Sequence, residues 1–163
     1  MRLFIGFVPD DASKTLLMKL EENLKEDGIA GRFAPEANLH MTAVFIGNAD
    51  SAPVISVLEK LRFAPTTLQT SGIGSFGKLK YVKVEPDAAI VSMVKQIRQG
   101  LDLAHISYDR KPFFAHVTLI RKCAGTPDDH SVPSSLTFDR LVLFESCTEN
   151  GTLVYKPLYT VKN

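Results

Sequence analysis

The chain has 163 residues, of which 45% are hydrophobic, and its 19 basic and 18 acidic side chains leave a formal net charge of +1. That length suits one domain with a core of its own, here taken as residues 1–163, and excludes disorder as the main state. So balanced a charge excludes a protein that holds long nucleic acid by backbone attraction alone, so any nucleic-acid contact is expected to be local.

Cys123 and Cys147 form no CxxC pair, so neither a disulfide framework nor a thiolate zinc site is signalled, and both are expected as reduced thiols of a cytoplasmic protein. The opening apolar run Leu3 to Val8 stops at Pro9-Asp10-Asp11, short of a signal peptide. No other stretch approaches the roughly 18 apolar residues of a membrane span, so an intracellular protein with no membrane partner is expected.

In chain order, the first run is apolar on both faces, which fits a buried strand. A helix follows, with Asp10 or Asp11 as its cap, Leu17, Leu20 and Leu24 on one face, and Gly28 and Gly31 closing it. A second helix is expected from Ala52 to Leu61. A third follows Glu85-Pro86-Asp87, with Ile90, Val94, Ile97 and Leu101 on its buried face. Six further strands are expected at Leu39–Ile46, Thr66–Ile73, Tyr81–Val84, Phe113–Ile120, Leu136–Phe144 and Leu153–Tyr159, seven in all. Gly72-Ile73-Gly74 and Gly77-Lys78 read as turns, and Asn150-Gly151 as a tight hairpin that makes the last two strands antiparallel. Helices among mostly antiparallel strands define an α+β fold.

The most informative pattern occurs twice: Leu39-His40-Met41-Thr42-Ala43 and Ala115-His116-Val117-Thr118-Leu119. On a strand, side chains alternate faces, so each copy presents one imidazole and one hydroxyl on the same side. The copies lie nearly half a chain apart, which implies two lobes of similar build with their polar faces opposed. A strand histidine alone is an ordinary core or edge residue, and threonine an ordinary strand former. Duplication lifts the pair above that background, since two of only four histidines hold the repeated position. One imidazole can accept a proton while the other donates one near neutral pH, and the Thr hydroxyls can donate to phosphate oxygens. Such a set suits phosphodiester cleavage with no metal and no cofactor. His105 and His130 stand at a helix end and in a loop, without metal-ligand spacing.

Arg121 follows His116 by an odd offset, so on an unbulged strand it faces away, although its length lets it curl round the strand end to a phosphate. Phe76 and Tyr81 are candidates to stack a base, beside a loose basic group of Lys78, Lys80 and Lys83.

These residues resemble the 2H phosphoesterases, and within them the RNA 2′,3′-cyclic phosphodiesterases, also called 2′-5′ RNA ligases. The resemblance spans nearly the whole chain. It rests on Arg2 to Pro9, on Gly31 to Thr42 with Phe45-Ile46-Gly47 after it, on Lys111 to Arg121, and on Leu143 to Ser146 with Gly151, Tyr155 and Leu158. Ala43 stands where the family usually has Leu, Ala115 where it has Pro, Tyr81 where many members carry Trp, and Phe33 in a position often held by Trp.

The resemblance implies a two-lobed fold in which pseudo-twofold related antiparallel sheets, with helices outside, meet at a central cleft. It implies that a terminal 2′,3′-cyclic phosphate of RNA is hydrolysed to a 2′-phosphate, with a reversible 2′-5′ RNA ligase activity beside it. His40 and His116 would be catalytic, with His116 as base and His40 as acid or the reverse. Thr42, Thr118 and Arg121 would hold the phosphate. Expected partners are RNA ends or nucleotides bearing a 2′,3′-cyclic phosphate, with no obligate protein partner and a monomeric state. The rival readings are hydrolysis of another small cyclic phosphate, such as cyclic ADP-ribose phosphate or a cyclic nucleotide, and a non-catalytic module that binds RNA ends.

Overall fold

Asp10 caps the first helix by accepting from the Ser13 amide at 2.8 Å, and Asp87 caps the third by accepting from Ile90 at 2.9 Å, in a computed structural model that describes residues 1–163. The elements run β1 (Arg2–Pro9), α1 (Asp11–Glu26), β2 (Ala30–Phe33), a single 3-10 turn (Glu36–Asn38), β3 (Met41–Asn48), α2 (Ser51–Leu58), β4 (Thr66–Phe76), β5 (Leu79–Val84), α3 (Ala88–Leu103), β6 (His116–Ala124), β7 (Ser135–Glu149) and β8 (Thr152–Thr160). No helix is long and apolar enough to cross a membrane.

Every strand pairing is antiparallel, and the strands follow one path, β2-β6-β5-β4-β7-β1-β3, with β8 added on β7. β4 joins two lobes: Thr66–Gln69 pair with β7, and the part from Thr70 to Phe76 pairs with β5. The lobes are not the two halves of the chain. β2 leaves the first half to pair with β6, while β7 and β8 return to lie beside β1.

Three expectations need correction. There are eight strands where the sequence pattern predicts seven: β2 lies in the region that Gly28 and Gly31 close, has no alternation of its own and exists through its pairing with β6. The Gly72-Ile73-Gly74 turn is a bulge inside β4, with Gly72 at φ +92° and the register slipping between Thr70 and Ile73. Phe113 and Phe114 lead into β6 without belonging to it. The hairpin at Asn150-Gly151 is as expected, with φ of 51° and 76°, the pair of positive values that a tight primed turn requires.

β1 shows why its sequence is apolar throughout. Leu3, Ile5 and Phe7 enter the main core, which comprises 33 buried residues drawn from both lobes. Phe4 and Val8 face the other way, into a smaller cluster with Val142 and Phe144 on the cleft side of the sheet. α1 lies against β1 and β7, and α3 against β3 and α2.

Glu21 on the inner face of α1 is 1% exposed, and neither carboxylate oxygen has a hydrogen-bond partner. Burial pushes its pKa up to about 8, against a weaker opposing pull from Lys25. A raised pKa means that the folded state favours the protonated form, so this contribution to stability is complete below the ordinary carboxylate range and is lost as pH rises through about 8. Urea denaturation of Glu21→Gln and the parent is therefore expected to show the variant gaining relative stability between pH 5 and pH 9; a constant difference over that range contradicts the buried, neutral carboxyl.

Candidate active site

The two His-x-Thr copies take the same local form. In each, His and Thr are half-buried on one side while the residues between and after them, Met41 and Ala43 or Val117 and Leu119, are buried on the other. Each strand then carries an extra residue. β3 slips register against β1 at Ala43-Val44, and β6 slips against β5 at Leu119-Ile120, and in both places the two consecutive residues are buried. A bulge reverses the alternation, so the fifth residue after each histidine returns to the cleft side. That residue is Phe45 in one copy and Arg121 in the other. The odd offset of Arg121 thus does not turn it away from His116, contrary to the reading for an unbulged strand.

Both imidazoles are held by the same bond. Nδ1 of His40 lies 2.7 Å from the carbonyl oxygen of Asn38, and Nδ1 of His116 lies 2.7 Å from that of Phe114. A carbonyl only accepts, so each Nδ1 carries the hydrogen and each neutral ring keeps its lone pair on Nε2. His40 Nε2 accepts from the Thr42 hydroxyl at 3.0 Å. Aromatic side chains back both rings. Phe4 and Tyr155 stand 4.8 and 5.3 Å from His40, and Phe114 and Tyr81 stand 4.8 and 5.1 Å from His116.

Two cavities flank the paired motifs, and each takes the histidine of one copy with the threonine of the other. A cavity of about 300 Å³ is lined by His40 and Thr118 with Arg121, Arg32, Phe33 and Tyr155. A second, of about 180 Å³, is lined by Thr42 and His116 with Phe45, Arg98, Lys111 and Phe114. This crossed pairing is what two lobes related by a pseudo-twofold axis produce. Burial pushes the His40 pKa down to about 4, partly opposed by the bond to the Asn38 carbonyl and reinforced by the charges of His116 and Arg121. His116 is also lowered, first by burial and then by Arg121, with the Phe114 carbonyl opposing. Both rings are therefore neutral at pH 7 without a ligand, and an anion between them would raise both.

The aromatic candidates separate. Phe76 is 60% exposed and offers a free face 6.4 Å from His116, whereas Tyr81 is 6% exposed and backs the His116 ring without presenting a face of its own. The basic group also divides. Lys80 is buried and paired with Asp128 at 3.2 Å, while Lys83 is exposed directly opposite His116 on β5. His105 and His130 line neither cavity, and His130 bonds Asp27 at 2.6 Å. Sequence reasoning did not single out Arg32, Tyr155, Phe4 or Gly6 as site residues. Of these only Gly6, alone inside an apolar strand, carried a local signal.

No protein-family model matches the chain. Among curated proteins it is similar to an RNA 2′,3′-cyclic phosphodiesterase of Thermotoga maritima, 23% identical over 98% of this chain and 94% of that protein. It is also similar to one of Aquifex aeolicus, 27% identical over 74% of this chain and 70% of that protein. Among solved structures, E. coli LigT complexed with 3′-AMP superposes with a TM-score of 0.79 at 17% identity, covering 98% of this chain and 95% of LigT. TT0787 of Thermus thermophilus superposes with a TM-score of 0.77 at 23% identity, covering 99% and 97%. The chain therefore has the LigT fold over its full length, the two-lobed α+β architecture expected from the paired motifs.

The His40 ring sits over bare backbone at Gly6, where a Cβ would stand 3.3 Å from His40 Cδ2. Gly6 pairs directly with Thr42 on β3, so a methyl group there displaces the imidazole by a few tenths of an ångström and leaves the strand in place. For a reaction that uses His40, Gly6→Ala is expected to lower kcat by about tenfold, short of the roughly 10²-fold that a misplacement of about 1 Å can cost, with little change in melting temperature. Equal kcat in variant and parent contradicts the placement of His40 as a reacting group.

Proposed function

We propose that this chain is an RNA 2′,3′-cyclic phosphodiesterase, hydrolysing a terminal cyclic phosphate to a 2′-phosphate by acid–base catalysis from two histidines. The observation that carries this is the crossed pairing of two His-x-Thr motifs about one cleft, each imidazole with Nδ1–H held by a carbonyl and its lone pair on Nε2, which in His40 accepts from the Thr42 hydroxyl. The curated relatives named for this activity, similar over most of their length, support it.

In the reaction, water attacks phosphorus in line with the bond to the 3′-oxygen. His116 takes a proton from the water, the P–O3′ bond breaks, and His40 gives its proton to the departing 3′-oxygen, leaving a 3′-hydroxyl and a 2′-phosphate. Thr42 and Thr118 donate to the non-bridging oxygens, and the Arg121 guanidinium balances the charge that grows on them. In-line attack puts nucleophile and leaving group on opposite sides of phosphorus, which matches histidines supplied by two different lobes. A 5′-hydroxyl in place of the water would be joined to the cyclic phosphate by the same step, with the 3′-oxygen leaving and a 2′-5′ phosphodiester formed; in the reverse, the 3′-hydroxyl attacks, the 5′-oxygen leaves and the two histidines exchange roles. Phe76 offers the open aromatic face for a base. The reading carries with it a cytoplasmic monomer acting on RNA ends.

A short RNA ending in a 2′,3′-cyclic phosphate tests the proposal, with 2′- and 3′-phosphate products resolved. The parent is expected to give the 2′-phosphate alone, and His40→Ala and His116→Ala each to lose about 10²- to 10⁴-fold in rate, the usual worth of a positioned acid or base. Turnover that survives both substitutions contradicts the mechanism.

The pH dependence follows from the burial of both rings. One histidine must be unprotonated and the other protonated, and in the free protein both pKa values lie below 6.5, that of His40 at about 4. The kcat/KM profile is therefore expected to peak on the acid side of pH 6.5 and to fall above it, because the acid has lost its proton. The bound phosphate anion raises both pKa values, so kcat is expected to peak at higher pH than kcat/KM. Coincident or flat profiles contradict paired histidines.

A further inference from the structure

Arg32 on β2 and Arg121 on β6 are directly paired across antiparallel strands, so their side chains leave the sheet on the same face, and both line the cavity of about 300 Å³ that holds His40 and Thr118. Both are exposed, and neither takes part in any of the ion pairs of the protein. Like charges directly opposite one another destabilise a sheet, and no acidic side chain relieves this pair. A cyclic phosphate is a monoanion, and Arg121, two threonine hydroxyls and a protonated histidine already meet its charge. The second guanidinium has no counterpart in the reacting group.

We propose that Arg32 binds a second phosphate of the substrate, the one esterified to the 5′-oxygen of the ribose that carries the cyclic phosphate. This rests on the cyclic phosphodiesterase reading and narrows it: the preferred substrate is a nucleotide with a 5′-phosphate or 5′-phosphodiester, as at the end of an RNA chain, over a bare nucleoside 2′,3′-cyclic phosphate. The edge position of β2 suits this, since the chain of the substrate can leave the cavity past Arg32 with no strand beyond it.

Three substrates separate the sources of that phosphate: adenosine 2′,3′-cyclic phosphate, its 5′-phosphorylated form, and a dinucleotide ending in the same cyclic phosphate. The parent protein is expected to favour the second and third over the first by at least tenfold in kcat/KM at low salt, and Arg32→Ala to reduce that ratio at least fivefold. A gain confined to the dinucleotide assigns the group to the RNA backbone, and an equal gain in both assigns it to any 5′-phosphate. An unchanged ratio in Arg32→Ala, or no preference in the parent, overturns the proposal, as does an equal loss on all three substrates, which would mean that both arginines grip the reacting phosphate.

Calorimetric titration with adenosine 2′,5′-bisphosphate and adenosine 2′-monophosphate reads the same site without turnover. Arg32→Ala is expected to weaken the bisphosphate at least fivefold more than the monophosphate, and equal weakening overturns the proposal. Absence of turnover on every cyclic phosphate would remove the proposed reaction, and the titration would still decide the role of Arg32.

Discussion

Everything at the cleft depends on one repeated hydrogen bond, from Nδ1–H of each histidine to the carbonyl of the residue two positions earlier. It fixes the tautomer, and with it which nitrogen faces a substrate. It also requires that the chain before each histidine be irregular, because a carbonyl locked in a strand ladder points sideways to a neighbouring strand. Asn38 ends a 3-10 turn, and Phe114 lies in the extended lead-in before β6. Asn38 is itself tied down, its side-chain amide donating to the Leu153 carbonyl at 3.1 Å on the β7–β8 hairpin. The hairpin thus supports the residue that orients His40 while contributing Tyr155 against the same ring.

The bulges impose the second constraint. Each strand must present His, Thr and the fifth residue on one face, which a regular period of two forbids, and the extra residue at Ala43-Val44 and at Leu119-Ile120 supplies the change of phase. The same backbone device then serves different side chains. Phe45 meets the Arg2 guanidinium, 4.9 Å above its ring, while Arg121 stands free in the larger cavity. The backbone is close to symmetric and the charge is not. Two guanidiniums, of Arg32 and Arg121, line the cavity of His40 and Thr118, against one, of Arg98, in that of His116 and Thr42.

The pairing of His40 with Thr42 and of His116 with Thr118 on shared faces was legible in the sequence, because alternation along a strand is a local property. So were the caps at Asp10 and Asp87 and the turn at Asn150-Gly151, each set by a few neighbouring residues. The side taken by Arg121 was not legible, because a bulge is a property of register between two strands and leaves no mark in the run Leu119-Ile120-Arg121. β2 escaped for a related reason: Ala30-Gly31-Arg32-Phe33 has no strand pattern of its own and is extended because β6 offers it a partner. With β2 went Arg32, whose juxtaposition with Arg121 exists only through that pairing. Tyr155 and Phe4 come from opposite ends of the chain, and only the packing of β8 on β7 and β7 on β1 brings them to His40.

The central claim is that the two histidines act on one phosphate as a unit. The rate of the double variant His40→Ala, His116→Ala on a 2′,3′-cyclic phosphate, set beside the two single variants, tests it most directly. Groups that share one transition state are strongly non-additive, so the double variant is expected to fall within about tenfold of either single variant. A double variant slowed by the product of the two single losses would mean that each histidine works independently, and would contradict the account.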